Sequence, residues 1–182
     1  MGIGWLITWT TYGSWLPGDP RGFVSAVRDA DGHRVIHNVY GTEYDRNVPK
    51  LARFAVRRLR GRPIRLTQPQ AEIVLHQMHQ TIAYRGWQLH AAAVMATHVH
   101  VVVEVAGDPD PAGILKSLKG YASRALNQKW QQPANGTWWT ESGSRRVLKS
   151  SDAIIAAAEY VRDQEFPLAR WVAPCYLPSH AV

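Results

Sequence analysis

The 182-residue sequence is poor in cysteine and in acidic residues. Cys175 is the single cysteine, and 14 acidic residues stand against 21 basic ones, which gives a formal net charge of +7. One cysteine excludes an internal disulfide framework and a cysteine-rich zinc ribbon, so we expect a reducing, cytoplasmic setting. The excess of positive charge favours a polyanionic partner, and nucleic acid is the first candidate.

Long apolar runs are also missing. The longest, at residues 91–96 and 101–103, fall short of the roughly 20 residues that span a bilayer. The start of the chain has no basic stretch ahead of an apolar one, so we expect no secretory signal. Since 46% of the residues are hydrophobic, the chain can bury a core, and we expect one soluble domain over residues 1–182.

The order of predicted elements indicates the fold class. Aromatic and β-branched residues predict a strand at 3–12, and residues 13–66, rich in glycine, proline and arginine, are interpreted as a loop-rich insertion. This insertion includes a hairpin at Asp31-Gly32 and a basic helix at 53–60. The core at 67–166 is predicted to begin with a helix from Thr67 to Gly86, which is followed by strands at 88–95 and 98–105. A second helix, opened by residues 108–111, strand structure at 138–148 and a third helix at 153–165 complete the core. Residues 167–182 form a tail. This order predicts an α+β, ferredoxin-like (RRM-like) antiparallel sheet with helices on one face.

Two histidines are the strongest chemical signal. In Thr97-His98-Val99-His100, the alternation of side chains along a strand places both imidazoles on one face. Such a pair can hold a divalent metal if a third ligand comes from elsewhere. The plainer alternative, a strand with two histidines of no special role, is about equally common for a bare His-x-His.

A tyrosine in the last predicted helix is a candidate nucleophile. Tyr160 and Gln164 are four residues apart, which is one helical turn and one face. A nearby cation would favour the phenolate of Tyr160, and the amide oxygen of Gln164 could complete a metal shell. Most tyrosines in helices serve packing or lie on the surface. Tyr121, which flanks the apolar stripe of the preceding helix, fits packing or DNA contact better than attack.

These residues resemble the single-tyrosine HUH transposases, which comprise insertion-sequence enzymes that move as single-stranded DNA and their REP-associated relatives. The resemblance depends on His98-Val99-His100 and on Tyr160-x-x-x-Gln164, and extends to residues 9–13, 117–124 and 138–139. It implies that Tyr160 attacks a DNA phosphodiester to form a 5′-phosphotyrosine link and free a 3′-hydroxyl. It also implies Mg²⁺ or Mn²⁺ as the metal bound by His98, His100 and Gln164.

The resemblance further implies single-stranded DNA, often with hairpins, as the partner. It leaves open whether the protein is a homodimer that exchanges its tyrosine helix or a monomer. Basic residues near aromatic ones are candidates for DNA contact, because single strands are held by positive charge and ring stacking. These candidates are Arg57, Arg58, Lys116, Lys119, Arg124, Arg145 and Arg146.

Two other functions fit parts of the sequence. A histidine-triad nucleotide hydrolase also carries His-x-His on a strand, but it would have a third histidine where this chain has Val102. A non-catalytic, RRM-like nucleic-acid-binding module would fit the predicted sheet, provided that aromatic residues lie on an open sheet face.

Overall fold

The computed structural model describes residues 2–19, 25–28, 34–37, 48–107 and 110–177. Its elements are β1 (Gly2–Thr10), β2 (Ser25–Arg28), β3 (Arg34–His37), α1 (Pro49–Arg57), α2 (Gln68–Arg85), β4 (Gln88–Val94), β5 (His98–Ala106), α3 (Pro111–Lys129), β6 (Ser144–Leu148), α4 (Ser151–Arg162) and β7 (Ala169–Val172), followed by a 3-10 helix at Pro174–Tyr176. Within these ranges, no helix is both long and apolar enough to cross a membrane.

The main sheet has five strands in the order β6-β1-β5-β4-β7. Every pairing in it is antiparallel. The order β6-β1-β5-β4, with α2 and α3 as connections, is the ferredoxin-like arrangement, so the predicted α+β class and sheet are confirmed. β7 extends the sheet beyond β4, in a region for which the sequence analysis predicted only a tail.

Helices cover both faces of this sheet. Apolar residues of α2 and α3, among them Val74 and Leu118, pack against Val99, Val101 and Val103 of β5. The expected packing of helices on one face therefore holds for α2 and α3. α4 lies on the opposite face, where its residues Ala157, Ala158 and Val161 pack against Ala91, Ala93 and Val102. Alanine side chains on β4 are short enough to let α4 approach the sheet closely.

The helix ends follow the capping signals of the sequence. Thr67 and Gln70 form the predicted capping box of α2, and Gly86 ends that helix with φ 65°. Asp110 and Ser150 accept backbone hydrogen bonds at the starts of α3 and α4. One boundary differs, because α4 ends at Arg162 and not at Glu165 as predicted.

The chain turns away directly after α4. The guanidinium of Arg162 donates two hydrogen bonds to the carboxylate of Asp163, at 2.7 and 2.9 Å. Phe166 then adopts a positive φ of 54°, and Pro167 lacks the N–H that a continuing helix would need. These features direct the chain into β7.

The predicted insertion contains α1 and the two-stranded sheet β2-β3. α1 overlaps the expected basic helix but begins earlier, at Pro49. Pairing of Ser25 with His37 and of Arg28 with Arg34 agrees with the expected hairpin. The predicted turn Asp31-Gly32 lies outside the described residues, as do residues 108–109, where the second core helix was predicted to open, and residues 178–182 of the tail.

Replacing Leu126 by alanine tests the core between α3 and the sheet. Leu126 is fully buried, so Leu126→Ala should lower the free energy of unfolding by about 2–5 kcal/mol. Gln128→Ala, at an exposed position of the same helix, is the matched control and should change it by less than about 0.5 kcal/mol. Urea denaturation measures both values, and equal effects would contradict this packing.

Candidate active site

His98 and His100 lie side by side on β5, as the alternation of the strand predicted. Their ring centroids are 4.9 Å apart. Val99 points to the opposite face and is fully buried. The pair therefore shares the sheet face that α4 covers, and the valines between and beyond the histidines hold the strand in the core.

Two threonines hold the histidine rings. Thr8, opposite His100 in the β1-β5 pairing, places its Oγ1 2.7 Å from Nδ1 of His100. The Oγ1 of Thr97 lies 3.1 Å from Nδ1 of His98. When Nδ1 donates to the threonine oxygen, Nε2 carries the lone pair, so these contacts favour the tautomer that binds a metal through Nε2. The sequence analysis missed Thr8, although its position on the same face as Leu6 and Thr10 can be read from the strand pattern.

Burial keeps His100 neutral. The side chain is 7% exposed, and burial, together with the neighbouring His98, lowers the pKa of His100 from 6.5 to about 4. A neutral imidazole is the form that can bind a cation. The chemistry of the pair therefore fits a divalent metal.

Tyr160 reaches this pair from α4. Its ring lies edge-on to that of His100, with centroids 5.5 Å apart. Its side chain is 50% exposed, so the hydroxyl group is accessible to a substrate. Tyr160 and the histidine pair belong to the same chain, and one chain therefore brings the candidate nucleophile and the candidate metal ligands together.

Gln164 lies beyond the end of α4. Its Nε2 donates to the backbone oxygen of Tyr160 at 3.1 Å, so it stays one turn from Tyr160 even though the helix has ended. The bond uses the amide nitrogen, and the amide oxygen is the atom that could bind a metal. Among the described residues, no group of three or more His, Cys, Asp or Glu side chains could hold a metal. An amide oxygen is a further type of protein ligand that could complete the shell of the pair.

The next position of β5 on the face of the histidine pair is Val102, which has no metal-binding side chain. Val102 is fully buried and packs in the cluster beneath α4. A third histidine, which a histidine-triad hydrolase would need here, is absent from this position.

The two arginines of β6 point to opposite faces. Arg145 is paired with Ile7, which packs beneath α2 and α3, and Arg146 is paired with Leu6, which packs beneath α4. Both are exposed. Arg146 therefore shares the face of the histidine pair, whereas Arg145 lies on the face of α3.

A groove of about 910 Å³ lies between α3 and the loop at 137–143. Its lining includes Tyr12, Lys116, Ser123, Trp139 and Arg145. Three of the candidate DNA contacts border this groove, namely Lys116, Lys119 and Arg145, and the side chain of Lys116 is exposed.

Lys119 has an internal role. Its Nζ donates to the backbone oxygen of Thr140, and lies 3.0 and 3.4 Å from those of Glu141 and Ser142. The ammonium group is thus engaged by the loop at 137–143. Lys119 also lines the groove, so its contact with DNA stays a prediction.

The other basic candidates are exposed. Arg58 stacks over the ring of Phe54 at 5.3 Å, and Arg124 over that of Tyr121 at 5.2 Å. Arg57 lies beside Arg58 at the end of α1. Tyr121 therefore contacts a cation on the surface of α3 and lies on a different helix from Tyr160.

A second polar cluster joins the sheet to the 3-10 helix. Nδ1 of His90 lies 2.7 Å from the hydroxyl oxygen of Tyr176, and its Nε2 lies 3.3 Å from Oε2 of Glu104. His90 sits where the β4-β5 register shifts. Arg162, at the end of α4, donates to the backbone oxygen of Tyr176 at 2.8 Å. This cluster connects the end of α4 to the sheet, and nothing in the local sequence around His90 indicated it.

Comparison with known proteins agrees with this geometry. A family model described as IS200-like transposase matches residues 54–164, which is more than half of the chain. No curated protein matches significantly.

Two solved structures are similar to the chain at 13% sequence identity. A REP-associated tyrosine transposase bound to a REP hairpin has a TM-score of 0.47, with 88% of this chain and 64% of that chain covered. A protein from Deinococcus radiodurans R1 that is described as a transposase has a TM-score of 0.43, with 91% of this chain and 93% of that chain covered. The chain thus spans less than two thirds of the first structure's length.

Lys119 should make stability depend on pH. Burial lowers its pKa from 10.5 to about 8, an effect that the nearby Glu141 partly offsets. Between these pH values the unfolded chain binds more protons at this residue than the folded chain does, so the contribution of Lys119 to stability rises with pH. The free energy of unfolding of the wild type, minus that of Lys119→Met, should therefore increase from pH 8 to pH 10.5. Lys116→Met, on an exposed side chain of the same helix, should follow the wild-type profile, and a pH-independent difference for Lys119→Met would refute the assignment.

Proposed function

The chain belongs to the IS200-like transposase family, and on this premise we propose that it cleaves and rejoins single-stranded DNA through a covalent bond to Tyr160. The observation that carries the proposal is the approach of Tyr160 to His100, with ring centroids 5.5 Å apart in one chain. A nucleophile beside a pair of metal ligands is the arrangement that phosphoryl transfer needs. We also propose that residues 1–182 act as one transposase domain, with the core at 67–166, and that it works in the cytoplasm.

The proposed cleavage exchanges one phosphodiester for another. The Tyr160 oxygen attacks the phosphorus, its proton leaves to solvent, and the bond from phosphorus to the 3′ oxygen breaks. The 5′-phosphate remains linked to Tyr160, and the departing 3′ oxygen takes up a proton to become a free hydroxyl group. Because the phosphotyrosine bond conserves the energy of the broken bond, no nucleotide hydrolysis is needed, and the reverse step joins a new 3′-hydroxyl.

His98, His100 and the amide oxygen of Gln164 are the proposed ligands of Mg²⁺ or Mn²⁺. When bound, the ion would polarise the scissile phosphate and orient its oxygens. The neutral state of His100 and the Thr8 and Thr97 contacts at Nδ1 support the two imidazoles as ligands. The role of Gln164 as a ligand is supported by its hydrogen bond to the backbone oxygen of Tyr160, which keeps its amide group one turn from the proposed nucleophile.

The proposed substrate is single-stranded DNA with hairpins, and exposed cations favour it. Arg146 shares the face of the histidine pair, while Lys116 and Arg145 border the groove beside α3. Further proposed contacts are Lys119, which also lines that groove, and Arg57, Arg58 and Arg124. Because Tyr160 meets the histidine pair of its own chain, a monomer can form the site, and a homodimer would not need to exchange α4.

The two other functions have less support. The buried Val102 disfavours a histidine-triad hydrolase. An RRM-like module stacks bases on an open sheet face, whereas α4 covers one face here and α2 and α3 cover the other. We therefore retain the transposase chemistry as the proposal.

Replacing Tyr160 by phenylalanine tests the nucleophile. Tyr160→Phe should abolish the covalent protein–DNA band formed with a hairpin-bearing single-stranded oligonucleotide and Mn²⁺, while the melting temperature and DNA affinity stay near wild type, since only one hydroxyl group is lost. Denaturing gel electrophoresis detects the band. Tyr121→Phe is the matched control and should form it normally. A band of wild-type intensity with Tyr160→Phe would refute the assignment.

Loss of one imidazole tests the metal site. His98→Ala should weaken Mn²⁺ binding at least about tenfold, because second-shell changes alone often cost this much. Isothermal titration with Mn²⁺ in the absence of DNA gives the affinity. His79→Ala, on α2, is the control and should bind Mn²⁺ like the wild type. Equal affinity of His98→Ala and wild type would count against the proposed ligand.

A further inference from the structure

Phe166 has two features that are unfavourable for folding, a positive φ and an exposed ring. Its φ of 54° makes it the one non-glycine residue with positive φ in the described part of the chain. Its side chain is 88% exposed, more than any other large hydrophobic residue described. Positive φ strains a residue with a bulky side chain, and the following Pro167 restricts it further towards extended backbone. Asparagine or glycine would avoid the strain and the exposed ring together, so folding does not account for phenylalanine here.

The position of Phe166 places it at the histidine end of the sheet. Two residues before it, Gln164 is bonded to the backbone oxygen of Tyr160. Two residues after it, the N–H of Leu168 donates to the backbone oxygen of Val94 at 2.9 Å. Val94 is paired with Val99, between the two histidines. The turn at Phe166 therefore connects α4, which carries Tyr160, to the end of β4 beside the histidine pair.

We propose that Phe166 is a stacking platform for one nucleobase of the single-stranded DNA next to the scissile phosphate. This inference rests on the proposed function and adds a base-binding position to it. A protein partner would favour a contiguous apolar patch, whereas the residues before Phe166, Gln164 and Glu165, are polar. A single exposed ring in polar surroundings suits one base, because every base offers a π-face.

The charges near Phe166 bear on whether this residue contributes to DNA binding by stacking or by electrostatic attraction. Asp163 is paired with Arg162, Arg170 donates to the backbone oxygen of Arg162, and Glu165 is acidic and exposed, so charges of both signs lie near Phe166, which itself carries none. The contribution of Phe166 should therefore depend on the bases and not on the backbone. It should also be insensitive to salt, unlike that of the basic residues.

Binding to two probes tests this directly. In the Tyr160→Phe background, which prevents covalent trapping, the affinity for labelled single-stranded oligodeoxythymidylate is compared with that for an abasic oligomer of equal length. Adding Phe166→Leu should weaken thymidylate binding about tenfold, or about 1.4 kcal/mol, which lies in the range for one base on one ring. Abasic binding should not change, and Phe166→Trp should retain the parent's affinity. Tyr84→Leu, which removes an 80% exposed ring from α2, is the matched control and should affect neither probe.

The outcomes distinguish this inference from the proposed function. If the parent binds thymidylate and Phe166→Leu binds it equally well, or loses affinity equally for both probes, the stacking role is refuted and the transposase proposal stands. If the parent binds no single strand, the proposed substrate is wrong and the stacking role fails with it.

Stability separates stacking from a structural role. Phe166→Asn should keep or raise the melting temperature, because asparagine tolerates positive φ, while it weakens thymidylate binding as Phe166→Leu does. A fall of more than about 5 °C would show that the ring supports the fold, and would contradict the inference.

Discussion

The alternation of side chains along β5 is the constraint on which the rest of this structure depends. Val99, Val101 and Val103 point into the core beneath α2 and α3, and the same pleat turns His98 and His100 to the other face. A shift of the strand by one residue would turn the imidazoles towards α2 and α3 and the valines towards α4. The burial of apolar surface that stabilises the sheet therefore also fixes the pair of candidate ligands.

The second face of the sheet follows from this constraint. Val102 continues the histidine face and, with Ala91 and Ala93, forms the apolar surface on which α4 packs. α4 is thereby placed over the same face as the histidines, and Tyr160 near its end reaches His100. At the same end of the helix, Arg162 is bonded to the 3-10 helix that Tyr176 ties to His90. The sheet thus holds both the candidate metal ligands and the helix that presents the candidate nucleophile.

Local patterns predicted much of this architecture. The caps at Thr67, Asp110 and Ser150 gave the starts of three helices, and the histidine pair was visible because a strand repeats every two residues. Contacts between distant segments could not be read in this way. The bond from Thr8 to His100, the side of the sheet on which α4 packs, and β7 each depend on tertiary packing.

Two further features show where sequence reasoning fails. Lys119 was read as exposed because it lies off the apolar stripe of α3, but the loop at 137–143 folds over it and its backbone oxygens accept from the ammonium group. The sequence predicts that α4 extends to Glu165 because Phe166-Pro167 is the first signal that closes it. The bonds between Arg162 and Asp163, and the turn at Phe166, end the helix earlier, and no helix-breaking residue precedes Pro167 to signal it.

The central claim is that one chain supplies both the histidine pair and the tyrosine of its active site. It is tested most directly by mixing His100→Ala with Tyr160→Phe, each of which we expect to be inactive alone, and assaying the covalent protein–DNA adduct. Our account predicts no adduct in the mixture or after co-expression, because neither chain holds a complete site. Recovery of the adduct would show that α4 of one chain serves the histidines of another, and would contradict the account.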